Sequence, residues 1–243
     1  MREETETLVR NTMPRSLQRY LYRVRWGYTK VPIWLQRCLY EVWGRKVTEA
    51  EKELRAVFIH IPKNAGSSIT EAIFRKRVGH RAIRTLKIHE HKLIENLLTF
   101  TFVRNPWDRF LSAYKFFEQG GLNAADKKWA TENLAVFGGF REFTLALRDR
   151  QFAKTILWQK HFRPQSFWIV DQAGNLCVDY IGRFEQLEDD FRTLCSILGI
   201  KRNLKHLNGG EHESYTTYYD GESVRIVRDI YEKDIEMFGY DFQ

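Results

Sequence analysis

Two short stretches hold residues whose types and spacing suit the binding of phosphate groups. In the first, Val57 to Phe74 (VFIHIPKNAGSSITEAIF), an apolar run leads into Lys63, Gly66 and the paired hydroxyls of Ser67 and Ser68. A strand feeding a tight loop and then a helix aims backbone N–H groups and the positive end of the helix dipole at one point. Gly66 lets the backbone approach an anion, the serines cap the helix or donate hydroxyl bonds, and Lys63 adds a point charge. In the second stretch, Phe102 to Tyr114 (FVRNPWDRFLSAY), Arg104 closes a strand and Ser112 lies inside the following helix. An arginine at the carboxyl end of a strand meets a phosphate by paired hydrogen bonds. Each stretch also has an ordinary reading: a serine-capped helix, and a structural arginine before a core helix.

The loop that cradles nucleoside triphosphates, G-x-x-x-x-G-K-[ST], is not matched. Here the lysine precedes the glycine by three positions, and no acidic residue stands beside the hydroxyls to suggest magnesium.

The elements that must position these residues follow from pattern. LRAVFIHI (54–61) and Thr99 to Arg104 read as buried strands, and Asn105–Pro106 ends the second. Helices are expected over Ser67–Arg77, His91–Leu98 and from Pro106 to Phe117. RAIRTLKI (81–88) reads as a short strand or extended segment. Residues 122–160 read as helical and lidlike. SFWIV (166–170) and LCVDYIGRF (176–184) flank the turn signal DQAG and suggest a hairpin or neighbouring strands. LEDDFRTLCSILG (187–199) and Glu222–Phe238 complete the helices. Strands alternating with helices predict an α/β fold with a mostly parallel sheet.

The 243 residues, 43% hydrophobic and 14% aromatic, are enough for a packed core. Net charge is +8, which fits an anionic partner but equally a solvated basic surface. Cys38, Cys177 and Cys195 form no C-x-x-C pair, so zinc or a disulfide framework is not expected. Neither a secretory leader nor a membrane span is expected. Between Arg10 and Tyr40 there are seven basic residues and no acidic one, with Leu17, Leu21, Val24 and Tyr28 at helical spacing. Residues 1–50 therefore read as a basic amphipathic extension and 51–243 as the main domain. The extension either packs on that domain or rests on an anionic membrane surface. The dispersed basic residues match no nucleic-acid motif.

IPKNAGSS (61–68) resembles the 5′-phosphosulfate loop of sulfotransferases, and FVRNPWDRFLSAY their 3′-phosphate motif. The segments after Val178 resemble the carbohydrate branch, the sulfotransferase 2 type family, so the resemblance covers about residues 54–243. It implies a P-loop-like three-layer fold, with the sheet flanked by helices, that binds 3′-phosphoadenosine 5′-phosphosulfate (PAPS) without a metal. Lys63, Asn64, Ala65, Gly66, Ser67 and Ser68 would wrap the phosphosulfate, and Arg104 and Ser112 would hold the 3′-phosphate. The expected reaction is in-line sulfuryl transfer to a hydroxyl of a carbohydrate or glycolipid, with Lys63 relieving charge on the leaving group.

KIHEHKLI (87–94) lies between the two motifs. Its H-x-H pair resembles the catalytic segment of the heparan sulfate 2-O-sulfotransferase group. His91 is the expected base, His89 its support, and Glu90 the alternative base or a substrate contact. In a strand, His89 and His91 would share one face. His161 and Arg163 are candidate contacts to an anionic sugar, and Arg183 and Glu185 border the nucleotide or form an ion pair. In LNGGEHESYTTYY, Gly209 stands where the family usually carries a basic residue. The expected setting is cytoplasmic, with peripheral contact to the inner membrane through the basic extension. The competing functions are a P-loop nucleotide kinase or other phosphotransferase, and a non-catalytic glycan- or membrane-binding module.

Overall fold

The computed structural model describes Tyr40 and residues 46–204 and 214–243. The expected N-terminal amphipathic helix, its membrane contact and the Gly209 loop lie outside the described residues.

Three strands form one parallel sheet in the order β1 (Ala56–Phe58), β2 (Leu98–Val103), β3 (Tyr180–Arg183). Ala56 pairs with Leu98, and Phe100 pairs with both Phe58 and Tyr180. Successive side chains of β1 point to opposite faces, as strand geometry requires. Ala56 and Phe58 join one buried cluster with Phe100, Phe102, Ile69, Phe191 and Leu194. Val57 and Ile59 join another with Ile83, Leu86, Val103, Trp168 and Phe238. Helices thus cover both faces, the usual condition of a parallel sheet. Gly182 is needed in β3 because a Cβ there would lie 2.3 Å from the Phe102 ring.

On the first face lie α2 (Gly66–Phe74) and α10 (Leu187–Ile197). On the second lie α3 (Ile83–His89), α9 (Ser166–Ile169) and the end of α11 (Gly221–Phe238). A short α1 (Glu49–Leu54) leads into β1 and is capped by a reciprocal Thr48–Glu51 box. The sheet flanked by these layers is the three-layer α/β fold expected from the sequence.

The segment RAIRTLKI is helix α3, not a strand. Ile83 and Leu86, three apart, are both fully buried, so helical spacing supplies the core-facing pair. A second short helix, α4 (His91–Ile94), follows it. The SFWI of SFWIV is likewise helical. The Asp234 carboxylate accepts the backbone N–H groups of Gln165 (2.5 Å) and Ser166 (2.8 Å) and so holds the start of α9. The expected hairpin shrinks to one antiparallel bridge, Val170–Leu176, and β3 pairs with β2 instead.

Helix α5 (Pro106–Glu118) starts at Asn105, whose side chain accepts from Trp107 N. Helices α6 (Ala124–Asn133), α7 (Phe140–Ala146) and α8 (Arg150–Trp158) pack on α5 and α11 through Phe110, Phe117, Phe140, Phe143, Ile156 and Tyr231. The 122–160 region is therefore a core-bearing layer rather than a lid.

Glu51 is fully buried and accepts from Arg81, from Thr48 N (2.9 Å) and from Phe58 N (3.3 Å). Arg81 is itself buried and also donates to Lys46 O (2.7 Å). Removing the carboxylate would leave a buried guanidinium uncompensated. Glu51→Ala is expected to cost about 3–5 kcal/mol of unfolding free energy, measured by urea denaturation.

Candidate active site

The candidate residues leave the sheet at the carboxyl ends of their strands, where open α/β sheets bind ligands. After β1, Ile59 N still donates to Phe100 O (2.8 Å), and then the chain turns through Pro62–Ala65. Lys63 (φ 73°) and Ala65 (φ 56°) are both left-handed without being glycine. Each costs on the order of 1 kcal/mol, and such alternation builds a concave nest of N–H groups that suits an anion. Ala65 is the N-cap of α2 and provides no side-chain cap. Ser67 and Ser68 therefore lie in the first turn rather than at the cap, beside N–H groups that have no intrahelical partner.

Gly66 has a second reason to be glycine. A Cβ there would sit 2.0 Å from the His60 ring, so the imidazole lies against the floor of the loop. The His60 Nδ1–H donates to Val78 O (2.9 Å), and the ring stacks on Phe58.

Arg104 follows β2 and is held from four directions. Its Nε and Nη2 donate to Asp108 (2.7 Å each), and its Nη1 donates to Lys63 O (3.1 Å). Its guanidinium lies 4.0 Å from the Phe184 ring centroid. Its backbone N–H donates to Gln165 Oε1 (2.9 Å), while Gln165 Nε2 donates to Arg104 O (2.7 Å). Asp108 and Ser112 follow at intervals of four, on one face of α5, and Ser112 is half-buried.

Two buried side chains join the motifs. Gln165 Oε1 also accepts from Asn64 Nδ2 (2.7 Å), which donates to Phe102 O as well (2.7 Å). Arg109, fully buried, donates from Nε to Pro62 O (3.0 Å) and from Nη2 to His161 O (3.1 Å).

The Lys63 ammonium lies 4.6 Å from the Phe116 ring centroid. Burial first, then the charges of Arg104 and Arg109, lower its pKa to about 8. The ring of His161 stands 4.6 Å from the same Phe116 and 6.2 Å from His80. His80 and His60 lie 4.1 Å apart, centroid to centroid. Burial and the surrounding positive groups hold His80 and His161 well below the usual imidazole range, so both are neutral at pH 7. His80 Nδ1 pairs with His60 O (2.9 Å). A carbonyl only accepts, so the proton is on Nδ1 and the lone pair is on Nε2. His161 Nδ1 is buried and has no hydrogen-bond partner among the described residues.

The structure brings together Lys63, Asn64, Ala65, Gly66, Arg104 and His161 from among the expected site residues. Others have partners of their own. The His89 ring stacks on Tyr40 at 4.2 Å. The Glu90 carboxylate accepts from the Tyr40 hydroxyl and from Val47 N (3.3 Å). Glu90 also breaks the helix between α3 and α4, so His89 and His91 do not share a strand face; His91 is exposed at the start of α4. Arg163 is buried, donates to Trp158 O (2.9 Å) and lies over Phe167. Arg183 and Glu185 are not paired with each other. Arg183 donates to Phe238 O (2.5 Å), and Glu185 accepts from Asn105 N (2.6 Å) and from the Tyr240 hydroxyl (2.9 Å).

Sequence reasoning missed His60, His80, Asp108, Arg109 and Gln165. Asp108 and Arg109 stand inside FVRNPWDRFLSAY, His60 stands inside VFIHIPKNAGSSITEAIF, and Gln165 lies just before SFWIV, so their positions were in view without a stated role. The histidine pair depends on a turn back over the loop that no local pattern announces.

A parallel α/β sheet flanked by helices defines a P-loop-like three-layer protein, in which a loop with two left-handed residues after the first strand and an anchored arginine after the second bring Lys63 and Arg104 together. The chain belongs to the Sulfotransferase family, whose sequence model matches residues 48–241. It is thus a transferase of sulfuryl groups. No solved structure matches the chain. Among the described residues no helix is long and apolar enough to cross a membrane, and no group of three His, Cys, Asp or Glu is arranged to hold a metal.

Gly66→Ala is expected to lower stability by about 1–3 kcal/mol through collision with the His60 ring. Thermal unfolding of Gly66→Ala, His60→Ala and the double variant should give non-additive losses, because removing the ring makes room for the methyl. Lys63 gives a pH signature. Its ammonium form, favourable to an anion, is populated below about pH 8 and lost above it. Affinity of the loop for a phosphate-bearing anion, probed with adenosine 3′,5′-bisphosphate, should fall as pH rises through that region, and Lys63→Met should flatten the profile.

Proposed function

We propose that this chain moves the sulfuryl group of PAPS to a hydroxyl of a carbohydrate or glycolipid acceptor. The observation that carries this reading is the linked pair of cationic sites. Arg104 Nη1 donates to the carbonyl of Lys63, so an arginine suited to a 3′-phosphate is tied directly to a loop suited to a 5′-phosphosulfate. Lys63 to Ser68 would surround the phosphosulfate, and Arg104 with Ser112 would take the 3′-phosphate. The carbohydrate acceptor rests on the family-like segments after Val178. The basic, aromatic stretch before Tyr40 would supply peripheral contact with an anionic membrane.

The chemistry is in-line displacement at sulfur. The acceptor oxygen forms the new S–O bond as its proton passes to a base. The bridging S–O bond breaks, and its electrons remain on the phosphate oxygen. Lys63 and the first-turn N–H groups of α2 offset that charge. Among the histidines, this reading takes His80 rather than His91 as the base. His80 is neutral, has its lone pair on Nε2 and packs against the His60 that floors the loop. His161, which meets the same Phe116 ring as Lys63, would orient the acceptor.

Calorimetry with adenosine 3′,5′-bisphosphate, ATP–magnesium and 5′-AMP tests the donor. The bisphosphate should bind best, and Arg104→Ala should weaken it by roughly tenfold or more. Preference for ATP–magnesium would replace this reading with a nucleotide kinase. With an active acceptor, His80→Ala should reduce turnover by about 10²–10⁴-fold while the bisphosphate still binds. A loss confined to His91→Ala would return the base to His91.

A further inference from the structure

We infer that Gln165 is a positioning residue that sets the spacing between the two anion sites, so that one ligand carrying both acidic groups binds as a chelate. This rests on the two-site reading proposed above and adds the element that joins the sites.

Neither site is held by the sheet itself. The named strands end at Phe58 and Val103, and Asn64 and Arg104 lie beyond them. At this point the Gln165 carboxamide stands in for a neighbouring strand. It accepts from Arg104 N at 2.9 Å and donates to Arg104 O at 2.7 Å, the pair of bonds that an adjacent strand would make. The same Oε1 receives Asn64 Nδ2 at 2.7 Å. One fully buried planar group therefore fixes the main chain of the arginine against the side chain of the phosphate loop. Its own backbone N–H is anchored on the fully buried Asp234 at 2.5 Å, so the strut has a rigid base in α11.

A rigid link between two subsites raises the effective concentration of the second acidic group once the first is bound. Loss of the link should therefore damage bisphosphate binding far more than binding of either monophosphate. A residue that served folding alone would weaken all three ligands together.

The test is binding of adenosine 3′,5′-bisphosphate, 5′-AMP and 3′-AMP to the full chain and to Gln165→Met. Val227→Ala, a fully buried core truncation, serves as a stability-matched control. The bisphosphate should weaken by roughly tenfold to a hundredfold in Gln165→Met, the monophosphates by less than about threefold, and the ratio should survive in Val227→Ala. If Gln165→Met does not fold, Gln165→Asn takes its place: one methylene short, it cannot span Arg104 and Asn64 and should show the same selective loss. Retention of the bisphosphate preference overturns the inference, as does a parallel loss for all three ligands. A wild-type protein with no preference for the bisphosphate overturns the two-site reading itself, and the inference with it.

Discussion

The buried carboxylate of Asp234 is the contact on which the arrangement of the site depends. It is fully buried in α11, and burial raises its pKa, while the N–H groups of Ser166 and Gln165 and the charge of Arg109 act in the opposite direction. A carboxylate in such a place is costly unless its lone pairs are taken up. Here they start α9 and fix the backbone from which Gln165 reaches Arg104 and Asn64. Arg109, whose charge opposes that of Asp234, ties Pro62 to His161. The C-terminal helix thus determines the geometry of a loop well over a hundred residues earlier.

That geometry concentrates positive charge where little water enters. Lys63 feels Arg104 and Arg109, and His161 feels Lys160, Lys63 and Arg109. The folded protein accommodates the crowding by keeping its imidazoles neutral and drawing the lysine toward neutrality. The two left-handed residues of the loop add backbone strain at the same place. On the proposed reading both costs have the same compensation, an anion seated among the N–H groups. Strain and charge are then preorganisation: the groups need not reorient when a ligand arrives.

Local chemistry made part of this legible in the sequence. The strand–loop–helix after Val57 and the strand–Arg104–helix after Thr99 each lie within about twenty residues, and their apolar runs and their Asn-Pro stop need no distant partner. The four- to eight-residue apolar segments did not declare themselves. RAIRTLKI and SFWIV carry the same residue types in either conformation, and tertiary burial of Ile83, Leu86, Trp168 and Ile169 decided between them. Gln165 and Asp234 were illegible for a different reason. Their importance lies in hydrogen bonds across 61 to 101 residues, and no spacing rule reports those. The histidines repeat the lesson: His89 and His91 have suggestive spacing, whereas the meeting of His60 and His80 beside the loop has no local pattern to announce it.

In the proposed donor site, Arg104 shows how an acidic neighbour could serve anion binding. A guanidinium has five N–H groups in a planar fork. Asp108 takes the pair on Nε and Nη2, and Lys63 O takes one on Nη1. One N–H on each Nη remains for a ligand, and the Phe184 ring fixes the plane. The carboxylate repels an incoming phosphate, but it also removes the rotamer freedom that an unrestrained arginine would lose on binding. A lysine at this position has no planar fork with which to divide its donors between Asp108 and a ligand, so the chemistry of the site calls for arginine in particular.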